Sequence, residues 1–282
     1  MLNIAKRNVL LFFRDKAAVF FSLLSSIIVI VLYALFLGKM LLGDFPETME
    51  FAVNSWLIAG LISISAFTGP LSAYDIMIAD KNNNIYKSFI AAPVKKSQLT
   101  GGYILSSLII GVSISLVTLV IGELYIVING GSFLPLVTLL KIIGFIIIGT
   151  TANSALLFAI ISFIKTQTAF SAFSSIAATL IGFLMGIYVP LGVLPNYIQT
   201  ALKFYPGTYM VGLLRNEFMR VPFGNVEEEV GIDTINELRE FLGVNYKWGS
   251  FDVTAYAALG VLLLTIVIFY GLSIVKINIK TK

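Results

Sequence analysis

Residues 79–100 read Ala79-Asp80-Lys81-Asn82-Asn83-Asn84-Ile85-Tyr86-Lys87-Ser88-Phe89-Ile90-Ala91-Ala92-Pro93-Val94-Lys95-Lys96-Ser97-Gln98-Leu99-Thr100, a polar interruption between two long apolar runs. Lys81, Lys87, Lys95 and Lys96 place it on the cytoplasmic side, because basic residues concentrate in cytoplasmic loops. Asn82, Asn83 or Asn84 can cap a short helix. In that helix Ile85, Phe89 and Ala92 share one face, with Tyr86 and Ile90 beside them. Pro93 stops it, and Ser97 can cap the helix that follows. A short amphipathic helix of this kind either docks on a partner or lies on lipid; its charge and period suit both.

Working outward, the flanking runs are membrane spans. The 282-residue chain is 58% hydrophobic and only 12% charged, and its mean hydropathy is +0.94. A soluble domain carries about 25% charge, so a polytopic membrane protein is expected. The predicted spans are about 19–37, 51–77, 101–128, 136–163, 168–188 and 252–274. Ahead of them, Leu2, Ala5, Val9, Phe12 and Phe13 fall on one helical face, opposite Asn3, Arg7 and Arg14. That pattern predicts an interfacial helix over residues 1–18. No small-residue cleavage site follows the first apolar run, which argues against a signal peptide.

Charge orients the bundle. One side holds Lys6, Arg7, Arg14, Lys16, the four lysines of the opening stretch, Lys165, Lys276, Lys280 and Lys282, against Asp15 and Asp80. The other holds Asp44, Glu47, Glu50 and Glu227-Glu228-Glu229, partly offset by Lys203, Arg215, Arg220, Arg239 and Lys247. Both termini are therefore expected in the cytoplasm. The apolar segment from Val189 to Tyr209 is interrupted by Pro190, Pro195 and Pro206. This predicts two short re-entrant helices in the outer leaflet. In the polar segment beyond, Asp233 or Thr234 can cap a helix bearing Ile235, Leu238, Phe241 and Leu242, closed by Gly243.

The sequence carries no engine. It has no Cys and no His, which removes thiolate chemistry, disulfides and the commonest zinc ligand. No phosphate-binding Gly-x-x-x-x-Gly-Lys-Ser/Thr loop is present. No Gly-x-Ser-x-Gly elbow is present either. Glu123 falls near the outer end of the third span and Asp75 near the inner end of the second, and both lie close enough to an interface to be hydrated. Ala178, Gly182 and Gly186 have the spacing that lets helices approach closely, within one chain or between two.

These features resemble the membrane permease subunits of type-2 ATP-binding-cassette exporters, drug-export permeases among them. In that family a cytoplasmic helix after span two ends in a threonine- or serine-proline pair; here the pair is Ala92-Pro93, preceded by Phe89 and Ile90. Asn82, Asn84 and Ile85 stand where the family often has an acid, a glycine and a threonine, and Asp80 could replace the missing acid. After span five the family has a glycine, a proline, a Leu-Pro, a Pro-x-x-Tyr and an arginine. This chain has Gly186, Pro190, Leu194-Pro195, Pro206-Gly207-Thr208-Tyr209 and Arg215.

The resemblance implies an all-α polytopic fold with six transmembrane helices, an N-terminal interfacial helix, a coupling helix and re-entrant outer helices. It implies one permease domain over residues 1–282, with a coupling loop at 80–97 and extracytoplasmic elements at 189–251. It also implies a subunit that is not itself an enzyme and holds no cofactor. ATP and Mg would sit on a separate ABC ATPase partner, beside a second permease chain and membrane lipid, with no nucleic acid. ATPase coupling would fall to Asn82, Asn84, Ile85, Tyr86, Phe89, Ile90 and Pro93. The export path would run along spans one, two and five, with Phe36, Phe67, Met185 and Tyr188 at suitable depth. The expected location is a bacterial plasma membrane. Two other classes fit the composition: an ion-coupled secondary carrier using Glu123 or Asp75, and a membrane anchor that gives immunity to an antimicrobial.

Overall fold

The computed structural model describes residues 1–33, 35, 49–91, 94–248 and 251–279, without the side chains of 25, 90, 228–230 and 273–279. Phe36, Ala92 and Pro93 lie outside the described residues, as does the side chain of Ile90.

The chain opens with α1 (Leu2–Arg14), which turns through 76° into α2 (Lys16–Leu32). The bend has a local cause. Asp15 is extended, at φ −81° and ψ 92°, and its carboxylate accepts from the Ala18 amide at 3.0 Å. This is an N-cap, so α2 begins three residues before the predicted Val19. Ile4, Ala5, Asn8 and Phe12 form the buried stripe of α1.

α3 (Glu50–Asn82) is the axis of the molecule. It is apolar on every side, the signature of a helix enclosed by others: 89% of its apolar window is buried within the chain. Short α4 (Ile85–Ala91) follows, then α5 (Lys96–Ile128), α6 (Leu136–Ile161) and α7 (Gln167–Leu184). The predicted Ser97 cap is absent. α5 begins at Lys96, and the Gln98 side chain accepts from the Lys95 amide at 3.3 Å. α3 and α5 meet closely at Gly69 and Gly111, where a Cβ on Gly69 would lie 2.7 Å from the Gly111 Cα. Pro70, inside α3, cannot donate to the Ala66 carbonyl. Asn153 of α6 supplies the missing donor, its Nδ2 lying 3.4 Å from that oxygen.

Beyond α7 come a 3-10 turn (Leu191–Val193), α8 (Asn196–Leu202), α9 (Pro206–Phe218), α10 (Arg220–Val230) and α11 (Ile232–Phe241). The sequence predicts two short helices here; the structure has a 3-10 turn and two helices before residue 219. The prolines start these pieces rather than break a helix. Pro190 and Pro195 are N-caps and Pro206 is the first residue of α9, where a missing amide proton costs nothing. A two-stranded hairpin, β1 (Lys247–Trp248) with antiparallel β2 (Phe251–Asp252), leads into α12 (Ala255–Ile279).

Among the described residues five helices are long and apolar enough to cross a membrane, and the bent α1–α2 pair is a sixth if it is counted as one span. Polar bonds cross-link them where lipid could not satisfy the groups. Ser154 of α6 binds Tyr74 of α3 at 2.8 Å, Ser107 of α5 at 2.7 Å and Tyr270 of α12 at 3.1 Å. α7 and α12 are peripheral, with 17% of each apolar window buried.

Candidate functional site

The re-entrant motif residues converge on one guanidinium. α7 ends with Met185 as its C-cap, and Gly186 follows at φ +60°. The Gly186 amide donates to Phe183 O at 3.0 Å and the Ile187 amide to Gly182 O at 2.9 Å, a paired closure that needs a left-handed residue. α11 ends in the same way. Gly243 has φ +66°, its amide donates to Glu240 O at 3.1 Å, and the Val244 amide donates to Arg239 O at 2.8 Å.

The carbonyls left over at both helix ends face Arg215 of α9. Its Nη2 donates to Gly186 O at 2.8 Å and Met185 O at 3.1 Å; its Nη1 donates to Leu242 O at 2.9 Å and Gly243 O at 3.4 Å. The Trp56 ring lies beneath, 4.7 Å from Cζ, and Trp56 Nε1 also donates to Leu242 O at 2.7 Å. Arg215 is 1% exposed, and among the described residues no carboxylate pairs with it. Two helix C-termini, each carrying about half a negative charge, balance it instead. Burial draws its pKa down to about 10, so it stays charged at neutral pH. Arg215 is thus no loop charge. Tyr209 of the same motif donates its hydroxyl to Lys203 O at 2.8 Å and accepts from Trp248 Nε1 at 3.0 Å.

The second feature is an open cleft of about 770 Å³ between α2, α3 and α7, within the range of pockets for drug-sized molecules. Phe21, Phe170 and Tyr188 give it aromatic faces, while Ser22, Thr68 and Ser72 give it hydroxyls. Among the described residues its ionisable side chains, apart from the Tyr188 phenol, are Asp15 and Asp75, both at the end near the α1–α2 bend. Neither has an ion-pair partner among the described residues; Asp75 accepts from Gln167 Nε2 at 2.6 Å. Ser174 Oγ, also in the lining, is sealed from solvent and has no hydrogen-bond partner among the described residues.

Of the path residues named from sequence, Tyr188 lines this cleft, packing edge-on to Phe183 at 5.1 Å. Phe67 packs edge-on to Tyr205 at 6.5 Å. Phe67 and Met185 are both buried inside the chain, 6% and 1% exposed. Gly182 meets the Tyr188 ring and Gly186 makes the turn, so both glycines serve packing within this chain. Glu123 lies at the far end of α5, its carboxylate accepting from the Leu134 amide at 3.1 Å.

The third feature joins α1, α3, α4 and α5. Arg7 makes a two-pronged ion pair with Asp80, at 2.7 and 2.9 Å. The Tyr103 hydroxyl donates to the same carboxylate at 2.7 Å. The Arg7 guanidinium also lies over the Phe89 ring at 5.4 Å. Next to it, Asn8 Nδ2 donates to Ser106 Oγ at 3.3 Å.

Two expectations change here. Asp80 is buried, 3% exposed, and already bonded, so it is not available to replace the missing acid in contact with a partner. α3 runs on to Asn82, whose side chain donates to Ile78 O at 2.9 Å. Asn84, at φ +61°, starts α4. The predicted shared face of Ile85 and Phe89 is divided. Tyr86 and Phe89, three apart, pack toward the core, while Ile85, Ser88 and Ala91 face outward, with Ile85 37% exposed. Helical spacing allowed either pair; the Arg7 guanidinium selects the aromatic one.

The sequence model of a family described as ABC-2 type transporter matches residues 1–219. No curated protein matches the chain. The matched span takes in the Arg7–Asp80 junction, the cleft and α9 with Arg215, and covers well over half the sequence; this chain belongs to the ABC-2 type transporter family, as the multi-pass membrane component of an ABC transporter.

Proposed function

We propose that the chain is the permease subunit of an ATP-driven exporter, a single transmembrane permease domain with both termini in the cytoplasm of a bacterium. The cleft between α2, α3 and α7 supports this reading most directly. It is open, of drug-like size, aromatic along its walls and hydroxyl-bearing throughout. Such a surface suits an amphiphilic cargo. Two carboxylates without a cationic partner favour cargo that carries positive charge. Two permease chains pair, and two ATPase subunits, holding ATP and Mg, bind against the outward face of α4. Closure of the ATPases on ATP then pushes α4, and Phe89 passes the motion to Arg7, α1 and the end of α3. No cofactor is assigned to this chain.

Three readouts test this. An ABC ATPase should co-purify with the chain, and cargo movement into vesicles should require ATP; movement that persists without ATP would support the ion-coupled carrier. Ile85→Asp should weaken ATPase binding at least about tenfold while leaving insertion and folding intact, since an unpaired charge buried at a docking face costs several kcal/mol. Equal ATPase recovery with Ile85→Asp would remove the outward face of α4 from the contact. Asp75→Asn should reduce transport of a lipophilic cation such as tetraphenylphosphonium about tenfold, one ion pair at a partly hydrated site being worth roughly 1–2 kcal/mol, with a neutral analogue unaffected. Equal loss of both would show Asp75 to be structural.

A further inference from the structure

On its other flank α7 borders a second groove, and we infer that this groove binds an anionic phospholipid. It lies between α6, α7 and α12 at the end of the bundle where Lys165 turns α6 into α7, and it encloses about 950 Å³. α6 packs on α12, and α7 packs on α3, which leaves α7 and α12 apart. The lining is apolar over about two helical turns, with Ile160, Phe163, Phe173, Phe269 and Leu272 as its large side chains. Phe163 is 71% and Leu272 60% exposed.

The charge of this groove is opposite to that of the cleft. Among the described residues Lys165 is the one ionisable side chain in its lining, and it stands at the polar end, beside Ser162 and Thr166. Among the described residues Lys165 has no ion-pair partner. The N-terminus of α7 opens at the same place. Thr166 accepts from the Ala169 amide at 3.2 Å, and the first-turn amides of Gln167 and Thr168 point out of the helix end. Asp75 is held by Gln167 on the cleft side of α7 and does not line the groove. A lysine, a hydroxyl and a helix N-terminus at the mouth of an apolar slot match a phosphate headgroup with acyl chains below it. A zwitterionic lipid would fill the slot equally well and also brings a phosphate, but its own cation cancels that charge, so the lysine favours a headgroup with net negative charge by about 1 kcal/mol, or about fivefold.

The test uses the full chain, purified with its ATPase from vesicles containing equal phosphatidylglycerol and phosphatidylcholine, with retained lipid counted by native mass spectrometry. Wild type should keep phosphatidylglycerol about fivefold over phosphatidylcholine, the preference one lysine near a phosphate supplies. Lys165→Gln, an exposed change that leaves the fold intact, should bring retention to parity. Lys141→Gln, at the opposite end of α6, should keep the preference. Parity in wild type, or an unchanged preference in Lys165→Gln, overturns the inference. So does protection of Phe163 from lipid-soluble photolabels only when two permease chains pair, which would assign the groove to a second copy. None of these outcomes depends on transport, so they are separate from the exporter reading.

Discussion

Arg215→Met should cost about 3–5 kcal/mol and lower the thermal midpoint of the detergent-purified chain by roughly 10 °C. The expected size follows from which carbonyls lose their donor. Leu242 O keeps Trp56 Nε1. Met185 O, Gly186 O and Gly243 O receive side-chain bonds from the guanidinium and lose them together. Each buried acceptor left unpaired costs about 1–3 kcal/mol. Removing the cation also leaves two helix C-termini facing each other across the vacated space, a repulsion absent from the native arrangement. Arg215→Lys should recover only part of the loss. An ammonium keeps the charge but is a single point, and it cannot span two pairs of carbonyls as the planar fork does. A Lys variant as stable as wild type would show that charge alone holds the two helix ends. A Met variant within about 1 kcal/mol of wild type would mean that water reaches the carbonyls. Gly186→Ala and Gly243→Ala should each destabilise by a smaller amount, about 1–2 kcal/mol, because a side chain at a left-handed φ is strained.

The bundle was largely legible from hydropathy, because long apolar runs in a chain of low charge have few alternatives. α6 was read to within two residues at both ends, whereas α3 and α5 each run five residues further toward α4 than their apolar runs indicate. The prolines at 190, 195 and 206 signalled interruption correctly, although their position as helix starts depends on where the chain turns next. Arg215 shows why the interior was harder. Counted as a charge, it belonged with Arg220 and Arg239 on the outer surface; counted as a motif residue, it had no chemistry. What distinguishes it is a pair of glycines, at 186 and 243, each placed one residue past a helix C-cap. Only the fold brings those two ends to one point. Asp80 was ambiguous for a related reason. A carboxylate beside a run of asparagines reads as a loop residue until Arg7, 73 positions away, is found to close on it. The split of Ile85 from Phe89 had no sequence signal, since a seven-residue helix is too short for its apolar period to choose a face.

The Arg7–Asp80 pair should give an asymmetric mutant cycle. Arg7 is 31% exposed at its side chain and Asp80 only 4%. Arg7→Ala therefore leaves a carboxylate sealed in the bundle with one phenol donor, Tyr103, at a cost of about 3–5 kcal/mol. Asp80→Asn leaves a cation that can turn to water, and its cost should be nearer 1–2 kcal/mol. Combining Arg7→Met with Asp80→Asn removes both charges, and stability should return to within about 1 kcal/mol of wild type, because no buried ion is left without its partner. Thermal midpoints of the four proteins measure this; equal penalties for the two single changes would mean that Asp80 is hydrated. The double variant also separates folding from function. It keeps the packing of α1 on α5 but loses the guanidinium that lies over Phe89 and grips the end of α3. If α4 passes motion through Arg7, cargo-stimulated ATP hydrolysis by the assembled complex should fall about tenfold, a coupling energy of ordinary size, although the chain is stable and still binds its ATPase. Full stimulation in the stable double variant would place the mechanical link elsewhere, at Tyr86 or along the backbone from Asn82 to Asn84. Loss of stimulation with retained ATPase binding is the result that the geometry of Arg7, lodged between Phe89 and Asp80, leads us to expect.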